Sequence, residues 1–176
     1  MYKSALIVVD MQNDFIDGSL GTPEAIEIIP KVKEYIKEFD KIGDTIIFTR
    51  DTHNDDYLNT LEGKNLPIPH CIKGTHGWEI HKDIIEYSNN DDLKEYHVEK
   101  DRFGYTDWWF CIEPDTKEIT LVGLCTDVCV ISNALIVKAF YPNVIIKIVK
   151  DATAGTTPEA KEAALLVAKS CQIDII

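Results

Sequence analysis

Two histidines and two carboxylates lie close together in one loop-like stretch of the chain. They are Asp51, His53, Glu62 and His70. Asp51 and His53 are two residues apart, so in an extended segment both side chains point to the same side. This donor set suits a divalent ion of the zinc, iron or manganese type, with water in the open positions. The sequence therefore predicts a metal site here; a solvated loop is the competing interpretation.

A cysteine lies where a helix should begin. The segment 123–129 follows an apolar run, and Thr126 or Asp127 is a natural N-cap. Cys129 would then lie in the first turn, where free N–H groups and the helix dipole favour a thiolate. The same N–H groups, with that of Cys125, could hold an oxyanion. The alternative is a buried cysteine that only fills space.

An aspartate and a lysine lie at the ends of two other apolar runs. Asp10 is near Phe15, and a carboxylate in apolar surroundings can bind a proton more strongly and act as a general base. Lys100 would supply positive charge beside Asp10 and Cys129. A loop-capping aspartate and a solvated surface lysine are the alternatives. Together with the metal cluster, these residues indicate a metal-containing hydrolase.

The elements that must position these residues follow from the apolar pattern. Short runs rich in β-branched residues predict strands at 5–9, 45–49, 95–98, 119–122, 144–149 and 173–176. Helices are predicted at 24–42, regular from Pro30 onward, at 127–141, and at 160–169 after a capping box at 156–159. Strands that alternate with helices predict an α/β fold with a parallel sheet.

Such sheets bind ligands at the carboxyl ends of their strands. Asp10, Asp51, Lys100 and the segment 124–125 all come just after predicted strands, so we expect them to meet at one edge. The stretch 51–92 has few helix or strand signals, and a loop of that length is usually functional. Two further histidines in it, at 76 and 81, are expected at the surface.

Size and composition fit one domain, 1–176, of an ordinary globular protein. The net charge of −12 makes nucleic acid and anionic membranes unfavourable partners, because both would be repelled. The sequence predicts neither a membrane span nor a secretory signal. Five cysteines, an odd number without regular spacing, argue against a disulfide framework, so a reducing cytoplasm is expected.

The chain resembles the isochorismatase-like cysteine hydrolases, and within them the nicotinamidases. The residues 5–15 look like the opening strand and catalytic aspartate of that family. The segments 49–53 and 69–71 look like its metal segments, 123–130 like its nucleophile segment, and 149–155 like a later strand end. The resemblance covers nearly the whole length.

This resemblance implies a single Rossmann-like domain of three α/β/α layers, with six mostly parallel strands. It also implies a triad of Asp10, Lys100 and Cys129, with the N–H groups of Cys125 and Cys129 as oxyanion donors. A non-proline cis peptide is implied at Leu124–Cys125. Relatives are often dimers or tetramers, so a homo-oligomer is possible.

Two departures from the family pattern affect the pocket. Many nicotinamidases have a third histidine shortly after the Asp-x-His pair; this chain has none there, and Glu62 matches a variant that uses a glutamate. The aromatic that often precedes the Pro-His segment is replaced by aliphatic residues at 66–68. Phe15, Phe103 and Tyr105 are the remaining candidates to stack on a flat substrate, with Phe15 first.

The resemblance implies hydrolysis of a small aromatic amide through a thioester, most simply nicotinamide to nicotinate and ammonia, with zinc as the expected metal and iron or manganese as alternatives. A metal-independent amidohydrolase for a carbamoyl or ureido compound is the nearest rival. A true isochorismatase cleaves a vinyl ether and would not need Cys129. The alternative from another class is a non-catalytic metal-binding protein of the same fold.

Overall fold

The central sheet has six strands in the computed structural model, which describes residues 3–86 and 95–176. The strands are β1 (Ser4–Val9), β2 (Thr45–Asp51), β3 (Glu95–Lys100), β4 (Glu118–Leu124), β5 (Ile145–Ala154) and β6 (Asp174–Ile175). Their order is β3-β2-β1-β4-β5-β6, and every neighbouring pair is parallel. The predicted α/β fold with a parallel sheet is confirmed.

Seven α-helices connect these strands within the described residues. They are α1 (Asn13–Ile16), α2 (Pro23–Glu27), α3 (Ile29–Ile42), α4 (Leu61–Asn65), α5 (Lys82–Ile85), α6 (Ile131–Phe140) and α7 (Pro158–Ser170). Short 3₁₀ turns occupy Tyr57–Asn59, His76–Trp78 and Trp108–Phe110, and a π-helical turn occupies Thr126–Val130. None of the helices in the described ranges is long and apolar enough to cross a membrane.

The predictions for the first and the last helical span each need a correction. The span 24–42 is two helices. The Thr22 hydroxyl accepts the N–H of Ala25 and caps α2, and α3 then begins with Pro30 in its first turn, as predicted. The capping box predicted from Thr156 is wrong. Thr157 is the N-cap of α7 and accepts the N–H of Ala160 at 3.1 Å.

The side chains of β1 alternate between two hydrophobic cores, which gives the three layers. Leu6 and Val8 pack on one face with Val32 and Ile36 of α3. Ile7 and Val9 pack on the other face, with residues of α6 and α7 that include Ala134, Val137, Leu165 and Ala168. Both faces of the sheet are therefore covered, which explains why its strands are apolar without strict alternation.

The strand order reverses between β1 and β4, where α/β sheets open a crevice for ligands. Val9 and Gly123 are partners in this ladder. Gly123 has φ +110°, and a Cβ at this position would lie 2.1 Å from the Val9 carbonyl oxygen. The close approach of the two strands at the crevice therefore requires glycine.

We expect Gly123→Ala to lower the free energy of unfolding by about 2 kcal/mol or more, because it adds a backbone clash to an unfavourable φ. Gly43 is the matched control, since its φ is +73° but a Cβ there has nothing within 4 Å. Gly43→Ala should cost only about 1 kcal/mol. Urea unfolding of both variants measures the difference, and equal losses would contradict the packing explanation.

Candidate active site

Asp10, Lys100 and Cys129 meet at the carboxyl edge of the sheet and are buried. The Lys100 Nζ lies 2.6 Å from Asp10 Oδ2 and 3.6 Å from Cys129 Sγ. Asp10 has φ +47°, so the chain turns sharply where β1 ends. The structure thus brings together the three residues that the resemblance implied as a triad.

Lys100 is a buried lysine with two carboxylates beside its ammonium group. Burial alone would lower the pKa of Lys100, but the nearby Asp10 and Asp51 carboxylates raise it above its ordinary value. Asp51 Oδ1 lies 3.5 Å from the same ammonium group. A buried cation between two carboxylates is therefore a fixed feature of the site.

Burial also raises the pKa of Cys129 well above its ordinary value, and the nearby Asp10 carboxylate adds to this effect, whereas Lys100 opposes it. Burial and Asp10 thus oppose the thiolate that the helix start was predicted to favour. The pKa of Asp10 is also raised, because burial outweighs the attraction of Lys100. Asp10 therefore binds protons more strongly than an exposed aspartate and is suited to take a proton from a thiol.

The turn that carries Cys129 differs from the predicted N-terminal turn of an α-helix. The carbonyl of Cys125 accepts the N–H groups of Val128 at 3.1 Å and Val130 at 3.0 Å, so the hydrogen bonding includes an i to i+5 step. The peptide Leu124–Cys125 is cis, as the resemblance implied.

The predicted N-caps of this turn are wrong, because Cys125 occupies the cap position without a side-chain bond. Asp127 instead accepts two hydrogen bonds from Thr156, one from its N–H at 2.7 Å and one from its hydroxyl at 2.5 Å. This pair joins the nucleophile turn to the loop before α7.

The four predicted metal ligands also come together. One donor atom from each of Asp51, His53, Glu62 and His70 lies within 4.8 Å of all the others. His53 Nε2 is 3.0 Å from Asp51 Oδ2 and 3.6 Å from Glu62 Oε1. Asp51 bridges the two clusters, because its Oδ2 faces the histidines while its Oδ1 faces Lys100.

The chemistry of this donor set fits a divalent cation. His70 Nδ1 lies 2.8 Å from the Ile68 carbonyl, which can only accept, so Nδ1 carries the proton in the neutral ring. The lone pair of Nε2 then faces Asp51 Oδ2 at 3.5 Å and Glu62 Oε1 at 3.8 Å. His53 Nε2 is buried and, among the described residues, has no hydrogen bond of acceptable geometry. A cation between these atoms would satisfy all of them.

The charges of the cluster agree with this interpretation. Burial would raise the pKa of Asp51, but the close contacts with the His53 and His70 rings and the charge of Lys100 lower it below its usual range. Asp51 is therefore an ionised carboxylate at neutral pH. Zinc, iron and manganese all accept such a set of two nitrogens and two oxygens.

A cavity of about 290 Å³ opens over both clusters. Asp51, Glu62, His70 and Cys129 line its polar end. Its apolar walls include Leu20, Leu66, Leu124 and Val128, together with the predicted substrate contacts Phe15 and Phe103. Tyr105 lies apart from this lining, with its ring 5.1 Å from that of Trp108 in an edge-on contact.

Two polar residues of the site were not selected from the sequence. The hydroxyl of Thr49 donates to Asp10 Oδ1 at 2.6 Å and accepts the Asp10 N–H at 3.1 Å. Asp14 accepts the N–H of Cys71 at 2.7 Å and so holds the turn after His70. Thr49 is hidden in an apolar strand, and nothing local in the sequence distinguishes it from a β-forming residue.

The fold and the site together define an α/β protein with a cysteine at the switch point of a parallel sheet, beside a candidate metal centre. The chain belongs to the isochorismatase family, because the isochorismatase domain model matches residues 4–176.

Relatives with solved structures share this fold over nearly the whole chain. The pyrazinamidase of Pyrococcus horikoshii, solved in complex with zinc, is 31% identical with a TM-score of 0.81 and covers 99% of this chain and 98% of its own. The N-carbamoylsarcosine amidase of Thermoplasma acidophilum is 28% identical with a TM-score of 0.78, and the match covers 98% of this chain and 95% of that protein. Among sequence relatives, the Bacillus subtilis protein described as an uncharacterized isochorismatase family protein, PncA, is 33% identical. The match covers 93% of this chain and 92% of that protein.

Proposed function

We propose that this chain hydrolyses a small aromatic amide, with nicotinamide as the first candidate, to the carboxylic acid and ammonia. One observation carries the proposal: Cys129 and the cluster residues Asp51, Glu62 and His70 line the same cavity. A substrate there can contact the thiol and the metal centre at once. Similarity to a zinc-containing pyrazinamidase supports the same assignment.

The first half-reaction uses Asp10 as the base. Asp10 takes the thiol proton of Cys129, and Sγ forms a bond to the amide carbon. The Lys100 ammonium group stabilises the negative charge on Sγ before the attack, and the N–H groups of Cys125 and Cys129 stabilise the negative charge that forms on the amide oxygen. Asp10 then gives its proton to the nitrogen as the C–N bond breaks and ammonia leaves.

The second half-reaction restores the enzyme. Asp10 removes a proton from water, and the resulting hydroxide attacks the thioester carbon. The C–S bond breaks, the carboxylic acid is released, and the proton held by Asp10 returns to Sγ. Asp10 both accepts and donates a proton during the cycle. Its raised pKa lies nearer to neutral pH than that of an exposed aspartate, and such transfers are most efficient when the pKa is near the working pH.

The metal centre would serve to orient the substrate. Asp51, His53, Glu62 and His70 would hold a divalent ion, zinc in the first place, which when bound supplies a positive contact for the ring nitrogen. Phe15 and Phe103 would pack on the ring. Correct placement of an amide over a nucleophile can supply much of the rate.

Chelation tests this role of the metal. We expect removal of the metal with a chelator to lower the amidase rate at least about 100-fold, because a lost positioning contact costs several kcal/mol. Addition of zinc, iron or manganese should restore it. Ammonia release from a panel of amides gives the amidase rate, and metal analysis of the same samples gives the metal content.

The rival functions predict other outcomes of the same panel. Turnover of a carbamoyl or ureido compound that persists after chelation would indicate the metal-independent amidohydrolase, which the similarity to an N-carbamoylsarcosine amidase keeps as the second candidate. Metal binding without ammonia from any amide would indicate a non-catalytic protein. The raised pKa of Asp10 beside a buried thiol favours the amidase over this last possibility.

A further inference from the structure

The side chain of Gln12 is fully buried and makes three hydrogen bonds to the main chain. Its Oε1 accepts the N–H of Asp51 at 2.7 Å. Its Nε2 donates to the carbonyl of Asp51 at 2.8 Å and to the carbonyl of Trp78 at 2.8 Å. One amide therefore pairs with both backbone groups of a predicted metal ligand.

Asp51 needs this partner because β1 ends before β2 does. The last paired residues of these strands are Val8 and Phe48, after which the chain turns away at Asp10. On the other side of β2, Thr52 N–H donates to the carbonyl of Lys100, so the bonds to β3 come from Thr52. In a parallel ladder successive residues face opposite neighbours, so the N–H and C=O of Asp51 face the side that β1 has left.

The Gln12 amide therefore takes the place of a peptide group at the end of the sheet. Without it, two backbone groups of a buried residue would lack partners, and each would cost the energy of its desolvation. The chain beside Asp51 would then shift to find water or another partner. Within residues 3–86 and 95–176, no other side chain hydrogen-bonds both of these groups.

The position of the Asp51 backbone controls where its carboxylate points. Oδ2 lies 3.0 Å from His53 Nε2, while Oδ1 lies 3.5 Å from Lys100 Nζ. A metal ion tolerates only a few tenths of an ångström in ligand distance. A backbone shift at Asp51 would therefore disturb the ligand set before it disturbed the hydrophobic core.

We propose that Gln12 is a positioning residue for the metal centre, which it serves by completing the sheet ladder around Asp51. This inference rests on the metal site of the proposed function, and not on the identity of the amide. Partners that orient metal ligands typically change metal affinity 10- to 100-fold when removed. Gln12 would act in this way through the main chain of Asp51, whose carboxylate faces both the metal site and Lys100.

The chain offers a matched control in Asn13. This residue is also a buried amide in the same turn, and its Nδ2 donates to the carbonyl of His76 at 2.7 Å. It therefore binds the same 3₁₀ turn, His76–Trp78, as Gln12 does, but within the described residues its side chain does not hydrogen-bond Asp51. Removing either amide deletes a buried hydrogen bond to this turn, and only Gln12→Ala deletes the bonds to Asp51.

The experiment measures zinc affinity by competition with a chromophoric chelator, and the stability of the metal-free proteins by urea unfolding. We expect Gln12→Ala to weaken zinc binding at least about 10-fold, while Asn13→Ala stays within about 3-fold of the unchanged chain. Gln12→Met, which keeps the volume without the bonds, is measured in the same way if Gln12→Ala does not fold.

Equal zinc affinity in Gln12→Ala and Asn13→Ala would overturn the inference and leave Gln12 a purely structural residue. Failure of the unchanged chain to bind zinc, iron or manganese would overturn it as well. If the unchanged chain binds metal but releases no ammonia from any amide, the proposed function fails, and the Gln12 comparison still decides the inference. The two failures are therefore distinguishable, because metal affinity is measured without substrate.

Discussion

Cys129→Ala should lower ammonia release at least about 1,000-fold, because no other thiol in the cavity lies beside a buried lysine and a base. The Sγ of Cys129 is 3.6 Å from Lys100 Nζ. Steady-state rates with nicotinamide, measured at saturating substrate, give the effect on kcat.

Two measurements separate loss of the nucleophile from loss of the fold. The variant should bind zinc as tightly as the unchanged chain, because Cys129 is not in the four-residue cluster. Cys171→Ala removes an exposed thiol from the end of α7 and should keep full activity. Turnover in Cys129→Ala within 10-fold of the unchanged chain would contradict a thioester mechanism.

The positions of the main site residues could be predicted because they depend on the strands. Asp10, Asp51 and Lys100 each come at the end of an apolar run, and parallel strands place their carboxyl ends at one edge. The strand ends were less accurate. Asp51 and Lys100 are the last residues of β2 and β3 rather than the first residues after them, because ladder bonds extend a strand beyond its apolar part.

Residues whose environment is set by distant parts of the chain could not be predicted in this way. Gln12 and Thr49 contact partners 39 positions away, and no local pattern distinguishes them. The surface position predicted for His81 is wrong; its side chain is buried, and its Nδ1 accepts the N–H of Asp83 at the start of α5. The prediction holds for His76, whose side chain is 85% exposed.

The irregular turn at the nucleophile could not be predicted from composition either. The residues 127–141 are apolar and suit a continuous α-helix, but the structure has a π turn before α6. Asp127 was a reasonable N-cap by type. It binds Thr156 instead, because the loop before α7 brings that residue within hydrogen-bonding distance. Tertiary contacts decide between two local structures that the sequence alone leaves equally plausible.

Asp10→Asn should lower kcat/KM by about 100- to 10,000-fold, the usual contribution of a general base. Asparagine keeps the shape of the side chain and can still accept the Thr49 hydroxyl, but it cannot take a proton from Cys129. It also removes the carboxylate that lies 2.6 Å from Lys100 Nζ, so the ammonium group keeps Asp51 at 3.5 Å and the Cys129 sulfur at 3.6 Å. Zinc affinity should change little, because Asp10 is outside the cluster.

The pH dependence gives the sharper test of the same residue. Asp10 must be ionised to act, and burial raises its pKa above the ordinary value of 3.8. As the pH falls through this raised pKa, the carboxylate is protonated and kcat/KM should decline, so the acid limb lies above about pH 4. The residual activity of Asp10→Asn should lack that limb. An acid limb that persists unchanged in the variant would contradict the assignment of that limb to Asp10, because asparagine has no proton to gain in this range.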